Sequence, residues 1–175
     1  MPFQIIRNDI TRVKADAIVN TANPRPKVGW GTDTAVYKAA GEEQLLAERR
    51  KIGDIAPGNA VHTPAFRLDA KYIIHTVGPV WVDGGHQEAE TLRSCYENSL
   101  KLAAENGCRS IAFSCISTGV YGYPHEAAAG ITVETVRAWN GDLPEEVIFC
   151  CFSNEMLKIY ESKGVPVISV SHHSA

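Results

Sequence analysis

Residues 16–40 read DAIVNTANPRPKVGWGTDTAVYKAA, and this stretch decides the fold class. The predicted strand at residues 17–20 starts with three consecutive apolar residues and does not alternate with polar ones, as is typical of a strand buried on both faces. A polar, glycine-containing loop follows and ends where a helical pattern begins near residue 34. Strand, loop and helix in this order form the repeating unit of an α/β sheet.

The rest of the chain repeats this alternation of short strand patterns and longer helical patterns. Gly107 and Gly164 suit helix ends, and Pro124 suits a helical first turn. The patterns predict a central sheet covered by helices. Strands are predicted at residues 3–7, 17–20, 59–63, 72–77, 110–114, 147–151 and 165–170. Helices are predicted at residues 34–40, 42–51, 88–106, 125–139 and 154–162.

Length and composition indicate one domain and exclude several function classes. With 175 residues, 45% of them hydrophobic, the chain suits a single core over residues 1–171 and a frayed tail at 172–175. The net charge of -3 disfavours nucleic-acid binding. The five cysteines are an odd number, and three of them lie in strand-like apolar runs, which indicates reduced thiols. Because no signal peptide or membrane-spanning stretch is evident, a cytoplasmic location is expected.

Two loops follow predicted strands and precede predicted helices, at residues 20–33 and 116–124. In open α/β sheets, ligands bind at the carboxyl ends of strands. Loops of this composition point backbone amides at an anion, and helix dipoles add partial positive charge. Each loop alone fits an ordinary turn, but two facing loops would hold a diphosphate.

Motifs for several other chemistries are missing from the sequence. Neither loop has the lysine of a P-loop or the three spaced glycines of a dinucleotide fingerprint. No Cys/His set has zinc-finger spacing, and no serine lies in a nucleophile elbow. Triphosphate hydrolysis, hydride transfer, metal chemistry and covalent serine catalysis are therefore unsupported, and no cofactor is expected.

Five segments, in order along the chain, are similar to those of the macro domain family. The resemblance implies a three-layer α/β/α sandwich with a central mixed sheet, and a cleft at the end of the sheet that binds ADP-ribose. The segments are NDIT at 8–11, DAIVNTAN at 16–23, GTDTAVYKAAG at 31–41, YIIHTVGP at 72–79 and ISTGVYGYP at 116–124.

The resemblance also assigns residues to the adenine end. Asp9 would accept a hydrogen bond from the adenine amino group, with the amide of Ile10 beside it, since a carboxylate selects a donor edge. Phe152 would pack against adenine. The alternatives are that Asp9 caps a local turn and that Phe152 packs in the core.

The second loop would hold the diphosphate through its backbone, from Ser117 through Thr118, Gly119 and Val120 to Tyr121. By resemblance, Tyr121 also lies near the distal ribose. A simple packing role for its ring is the alternative.

The first loop would supply the distal-ribose site. The resemblance gives Asn23 a hydrogen bond to this ribose, counts Gly31 and Asn20 among the binding residues, and makes Asp33 the acidic residue of the hydrolase subgroup. Asn20 either contributes directly or mainly fixes the loop. Asp33 would orient or deprotonate a water; the alternative is a helix N-cap.

The sequence departs from the family pattern in this loop. Trp30 stands where hydrolases usually have glycine, and it would reshape the pocket, stack on the sugar or cover the loop. Tyr37 stands where histidine is frequent. His75 and His125 are alternative general bases, although His75 lies in an apolar strand and is better explained as a hydrogen-bonded core residue.

The expected function is hydrolysis of an ester at the distal ribose. The partners would be ADP-ribose, O-acetyl-ADP-ribose or mono-ADP-ribosylated proteins, with ADP-ribose as ligand or product. One alternative is a module that binds ADP-ribose without hydrolysing it. Another is RNA or poly-ADP-ribose binding, which the negative charge disfavours.

Overall fold

The computed structural model describes residues 3–119 and 121–168, so Val120 and the tail at 172–175 lie outside the described residues. The predicted strand at 165–170 is described as far as residue 168. Strands in these residues are β1 (Phe3–Arg7), β2 (Ala17–Thr21), β3 (Ala60–Pro64), β4 (Tyr72–Thr76), β5 (Ser110–Phe113), β6 (Glu146–Cys151) and β7 (Val167–Ile168). Helices are α1 (Thr32–Ala40), α2 (Glu42–Ile52), α3 (Glu88–Glu105), α4 (His125–Ala138) and α5 (Asn154–Ser162).

The described strands form one mixed sheet in the order β3-β4-β2-β5-β6-β1-β7. Strand β3 is antiparallel to β4, and the other neighbouring pairs are parallel. In a parallel sheet the carboxyl ends of neighbouring strands meet at one edge. The loops after β1, β2, β5 and β6 therefore come together.

Successive residues of each central strand enter opposite core layers, as the two-residue period of a strand requires. Val19 and Phe113 face one layer with α3, α4 and α5, whereas Ile18 and Ala112 face the other layer with α1 and α2. The rings of Phe113 and Phe149 stack at 5.1 Å in the first layer. This confirms the predicted three-layer α/β/α sandwich.

Most element bounds differ from the sequence-based prediction by at most one residue, and β7 begins at Val167 rather than at residue 165. Helix α1 begins at Thr32, two residues before the predicted start, and a 3-10 helix at Ile10–Arg12 lies where no helix was predicted. All five cysteines are free thiols, as expected. None of the helices in residues 3–119 and 121–168 is long and apolar enough to cross a membrane.

Candidate functional site

A cleft of about 850 Å³ opens at the carboxyl edge of the sheet, in the position predicted for a ligand site. It is lined by residues that follow β1, β2, β4, β5 and β6, so the topology of the sheet builds it from distant parts of the chain. The predicted site residues among those lining it are Ile10, Asn23, Gly31, Asp33, Ser117, Thr118, Gly119, Tyr121 and Phe152.

Three helices begin at this cleft. Thr32 at the start of α1, His125 at the start of α4 and Ser153 just before α5 all line it. The Ser153 side chain caps α5 by accepting a hydrogen bond from the amide of Met156 at 3.2 Å. Helix N-termini carry unpaired amides and partial positive charge, so the arrangement favours a bound anion.

The second loop is a tight turn with unusual backbone geometry. Ser117 has a φ of 65°, which a non-glycine residue rarely adopts, and its carbonyl accepts from the amide of Tyr123 at 2.9 Å. A Cβ at Gly78 would collide with the Ser117 side chain, so glycine is needed there. The Tyr121 carbonyl accepts from the amide of Trp81 at 2.8 Å. Backbone strain of this kind is concentrated at functional sites.

Asp33 lies at the base of the cleft and is 1% exposed. Its Oδ2 accepts from the Gly29 amide at 2.6 Å, and its Oδ1 accepts from Asn20 Nδ2 at 2.7 Å. Burial raises the pKa of the Asp33 carboxyl, and these two bonds together with the Arg49 charge act in the opposite direction. The helix N-cap is Gly31, so the N-cap alternative for Asp33 is wrong.

Asn20 and His75 form a buried support behind Asp33. Asn20 is 0% exposed, and its Nδ2 also donates to His75 Nδ1 at 3.2 Å. The other ring nitrogen, Nε2, therefore carries the proton and donates to Thr63 Oγ1 at 3.0 Å. Burial lowers the pKa of His75 to about 3, so the ring is neutral.

This arrangement bears on two alternatives from the sequence. Asn20 is fully buried and does not line the cleft, and its hydrogen bond to Asp33 supports the alternative in which it mainly fixes the loop. His75 is a hydrogen-bonded core residue, because its ring is buried and engaged at both nitrogens.

Asn23 and Trp30 lie on the wall of the cleft that the first loop forms. Asn23 Nδ2 donates to the Arg25 carbonyl at 3.1 Å, which holds the side chain in a local turn. Trp30 is 82% exposed at the cleft, so its ring does not pack into the core. Tyr37 is buried in the core layer formed by α1 and α2 and does not line the cleft.

At the opposite end, Ile10 and Phe152 line the cleft, whereas Asp9 does not. Asp9 Oδ1 accepts from the amide and hydroxyl of Thr11 at 2.9 and 2.7 Å, so the turn-capping role predicted as the alternative is present. Its two neighbours in sequence, Asn8 and Ile10, line the cleft. Phe152 is 63% exposed, which excludes the core-packing alternative.

Sequence reasoning missed Cys115, Cys150 and Cys151 as residues that also line the cleft. Burial raises the pKa of Cys115 to about 12, and it also raises the pKa of the other two thiols. Protonated thiols are weak nucleophiles and behave as small apolar groups. They give this part of the cleft an apolar surface suited to a flat ring.

His125 lies at the rim, with Nε2 3.2 Å from the Thr118 carbonyl and Nδ1 3.2 Å from Glu155 Oε1. Each ring nitrogen lies within hydrogen-bond distance of an acceptor, and a neutral ring donates to one of the two, so the ring is held between the second loop and α5. This geometry indicates that His125 has a structural role rather than the role of a general base.

One group of potential metal ligands was found in the described part of the chain, comprising Asp83, His86 and Glu88. Glu88 accepts hydrogen bonds from four backbone amides, at residues 82, 83, 84 and 86, between 2.6 and 3.1 Å. Burial raises the pKa of Glu88, but the backbone hydrogen bonds together outweigh it and lower the pKa to about 2. Its carboxylate is therefore engaged in holding the loop before α3.

Comparison with known proteins gives one consistent result. Residues 19–132 match the family model described as Macro domain. The chain is 52% identical over 158 residues to a macro domain-containing protein of Chlorobaculum tepidum, covering 89% of this chain and 91% of that protein. It is 49% identical over 164 residues to a Citrobacter rodentium protein named O-acetyl-ADP-ribose deacetylase, covering 91% and 93%.

Solved structures agree with these sequence matches. The Trypanosoma brucei macrodomain in complex with ADP-ribose superposes with a TM-score of 0.85 at 38% identity, covering 91% of this chain and 68% of that chain. The Oceanobacillus iheyensis macrodomain with ADP gives a TM-score of 0.83 at 36% identity, covering 90% and 87%.

Proposed function

Because the chain belongs to the macro domain family, we propose that its cleft binds ADP-ribose and hydrolyses an ester at the distal ribose. The substrate would be O-acetyl-ADP-ribose or ADP-ribose esterified to an acidic protein side chain. Relatives named O-acetyl-ADP-ribose deacetylase support the first substrate. Water is the co-reactant, so no cofactor is assigned.

The convergence of three helix N-termini on one cleft is the observation that carries the binding proposal. The diphosphate would lie against the backbone of Ser117, Thr118 and Gly119, where these partial positive charges meet. The adenine ring would lie on the apolar surface between Ile10 and Phe152. Asp9 lies beside that surface, and we propose that it accepts the predicted hydrogen bond from the adenine amino group.

The distal ribose would then lie between Asn23 and Asp33, with Tyr121 on the opposite wall. Burial and the Asp33 charge both raise the pKa of the Tyr121 phenol, so the phenol stays neutral and can donate a hydrogen bond. A neutral donor beside the ester would stabilise the oxygen that becomes negative as water adds.

In the proposed reaction, Asp33 orients a water and accepts its proton as the water attacks the ester carbonyl carbon. The bond between that carbon and the ribose oxygen breaks, and the ribose oxygen takes a proton to leave as a hydroxyl. Burial makes Asp33 a stronger base by raising its pKa. The hydrogen bonds from Asn20 and Gly29 hold the Asp33 carboxyl in a fixed position, and this position orients the attacking water.

A reader module is the second candidate, and Trp30 is the observation that favours it. This ring projects from the first loop where hydrolases usually have glycine, and it is largely exposed at the cleft. Stacking on a bound sugar would strengthen binding without supplying any chemistry.

Turnover assays with purified protein separate the two candidates. O-acetyl-ADP-ribose and a glutamate-linked mono-ADP-ribosylated protein would each be incubated with wild type and with Asp33→Ala. Asp142→Ala, which removes an exposed carboxylate, is the matched control. Hydrolysis that Asp33→Ala reduces about 100-fold, with Asp142→Ala unchanged, supports the proposal. Binding without turnover in wild type would make the protein a reader.

A further inference from the structure

Arg49 is the feature of the fold that this mechanism does not yet explain. Among the lysines and arginines that the structure describes, it is the one that is buried, at 0% exposure. It lies in α2 four residues after Leu45, which is also buried, so both occupy the same inward face of the helix. An apolar residue is the ordinary occupant of such a position.

Hydrogen bonding does not offset the cost of burying this charge. Nη2 donates to the Asn23 carbonyl at 3.2 Å, while Nε and Nη1 have no hydrogen-bond partner among the described residues. A buried guanidinium with two unpaired donors destabilises a fold by several kcal/mol, to an order of magnitude. Nearby negative charge is what makes such a group tolerable.

The acidic group on which the Arg49 charge acts is Asp33, although the two are not within ion-pair distance of each other among the described residues. Arg49 lowers the pKa of the Asp33 carboxyl, against the effect of burial. A hydrogen bond of the guanidinium ends on the carbonyl of Asn23, in the same loop and on the wall of the cleft. The guanidinium thus acts on both residues assigned to the distal ribose while remaining outside the cleft.

We propose that Arg49 is a positioning residue for the reaction, which fixes the Asn23 segment and supplies the positive charge that balances the Asp33 carboxylate from behind the cleft. The inference rests on the proposed function, because its purpose is to hold an ionised base next to the substrate. Arg49 does not line the cleft, so it acts through these two residues.

The other titratable groups around Asp33 do not provide this charge. His75 lies in β4 behind it and is neutral, with a pKa of about 3. Tyr37 lies one turn further along α1 and Tyr121 lies in the second loop; the pKa of each is raised, so both are neutral as well. Arg49 in α2 is the cation that acts on the Asp33 carboxyl.

Three variants separate charge from shape. Arg49→Lys keeps the charge, Arg49→Gln removes it but can still donate to the Asn23 carbonyl, and Arg49→Met removes both. Turnover and ADP-ribose affinity would be measured from pH 4 to 8, with circular dichroism to confirm folding. If Arg49→Met does not fold, the comparison of Gln with Lys decides the question.

We expect the acid limb of the pH–rate profile to move upward by about one pH unit in Arg49→Gln and to stay in place in Arg49→Lys, since a nearby cation shifts a carboxyl pKa by about 1–3 units. ADP-ribose affinity should change less than about threefold, because Arg49 does not line the cleft. A folded Gln variant with the wild-type acid limb would overturn the proposal.

A second readout does not depend on turnover. The carboxyl carbon of Asp33 would be followed by ¹³C NMR during a pH titration and assigned by its loss in Asp33→Asn. The midpoint should be higher in Arg49→Gln than in wild type or Arg49→Lys. If wild type has no esterase activity, the proposed function fails, whereas equal midpoints in the three proteins would sink the assignment of Arg49 itself.

Discussion

Lowering the pH from 7.5 to 5 should destabilise this protein through His75. The ring is fully buried between Asn20 and Thr63, and its pKa is lowered to about 3 from an ordinary value of 6.5. The unfolded chain therefore binds a proton below pH 6.5 that the folded chain does not accept. This contribution to stability is complete above pH 6.5 and is lost progressively as the pH falls toward 3.

The magnitude follows from proton linkage. Each pH unit below 6.5 lowers the free energy of unfolding by about 1.4 kcal/mol, so the loss at pH 5 is about 2 kcal/mol. This figure needs only a folded-state pKa well below 5. Urea denaturation at pH 7.5 and pH 5 would measure it.

The matched variant is His75→Gln, whose amide can accept from Asn20 and donate to Thr63 without titrating. The wild type should lose about 2 kcal/mol more than this variant between the two pH values, because other titrating groups affect both proteins equally. An equal pH dependence in wild type and His75→Gln would refute the reasoning.

Three further substitutions test the cleft. Asn20→Ala should lower the free energy of unfolding by about 2–4 kcal/mol in urea denaturation, because the buried acceptors on Asp33 and His75 both lose their donor. A loss below about 1 kcal/mol would contradict this expectation. Phe152→Ala should leave the melting temperature unchanged and weaken ADP-ribose binding about fivefold in calorimetry, since the ring is exposed and available for stacking. An unaltered affinity would show that Phe152 does not contact the ligand. Gly78→Ala should destabilise the fold by about 1–3 kcal/mol through its collision with Ser117, and wild-type stability would show that the second loop yields freely.

Much of the fold could be predicted from the sequence because each element carries its own local signal. Buried strands contain uninterrupted apolar runs, such as residues 17–19 and 147–151, and Gly107 and Gly164 follow the helices they end. The start of α1 was placed two residues late, because the helix begins after Gly31 with no side-chain cap to mark it.

The candidate site was predicted less completely, since burial depends on tertiary packing. Asn20 and Asn23 look alike in sequence, yet one is buried beneath Asp33 and the other lines the cleft. Arg49 lies in the charged run ERRK, which is typical of an exposed helix face. Nothing in that run distinguishes the inward arginine from its exposed neighbour Arg50.

The central claim is that the cleft binds ADP-ribose through the second loop, and calorimetric titration of wild type and Gly119→Glu tests it most directly. A Cβ at Gly119 meets no atom within 4 Å, so the variant should fold while placing a carboxylate where the diphosphate would lie. The account predicts micromolar-range binding to wild type, on the order of 8 kcal/mol, and a loss of at least about 100-fold in the variant. Equal binding by both proteins, or no binding by wild type, would contradict it.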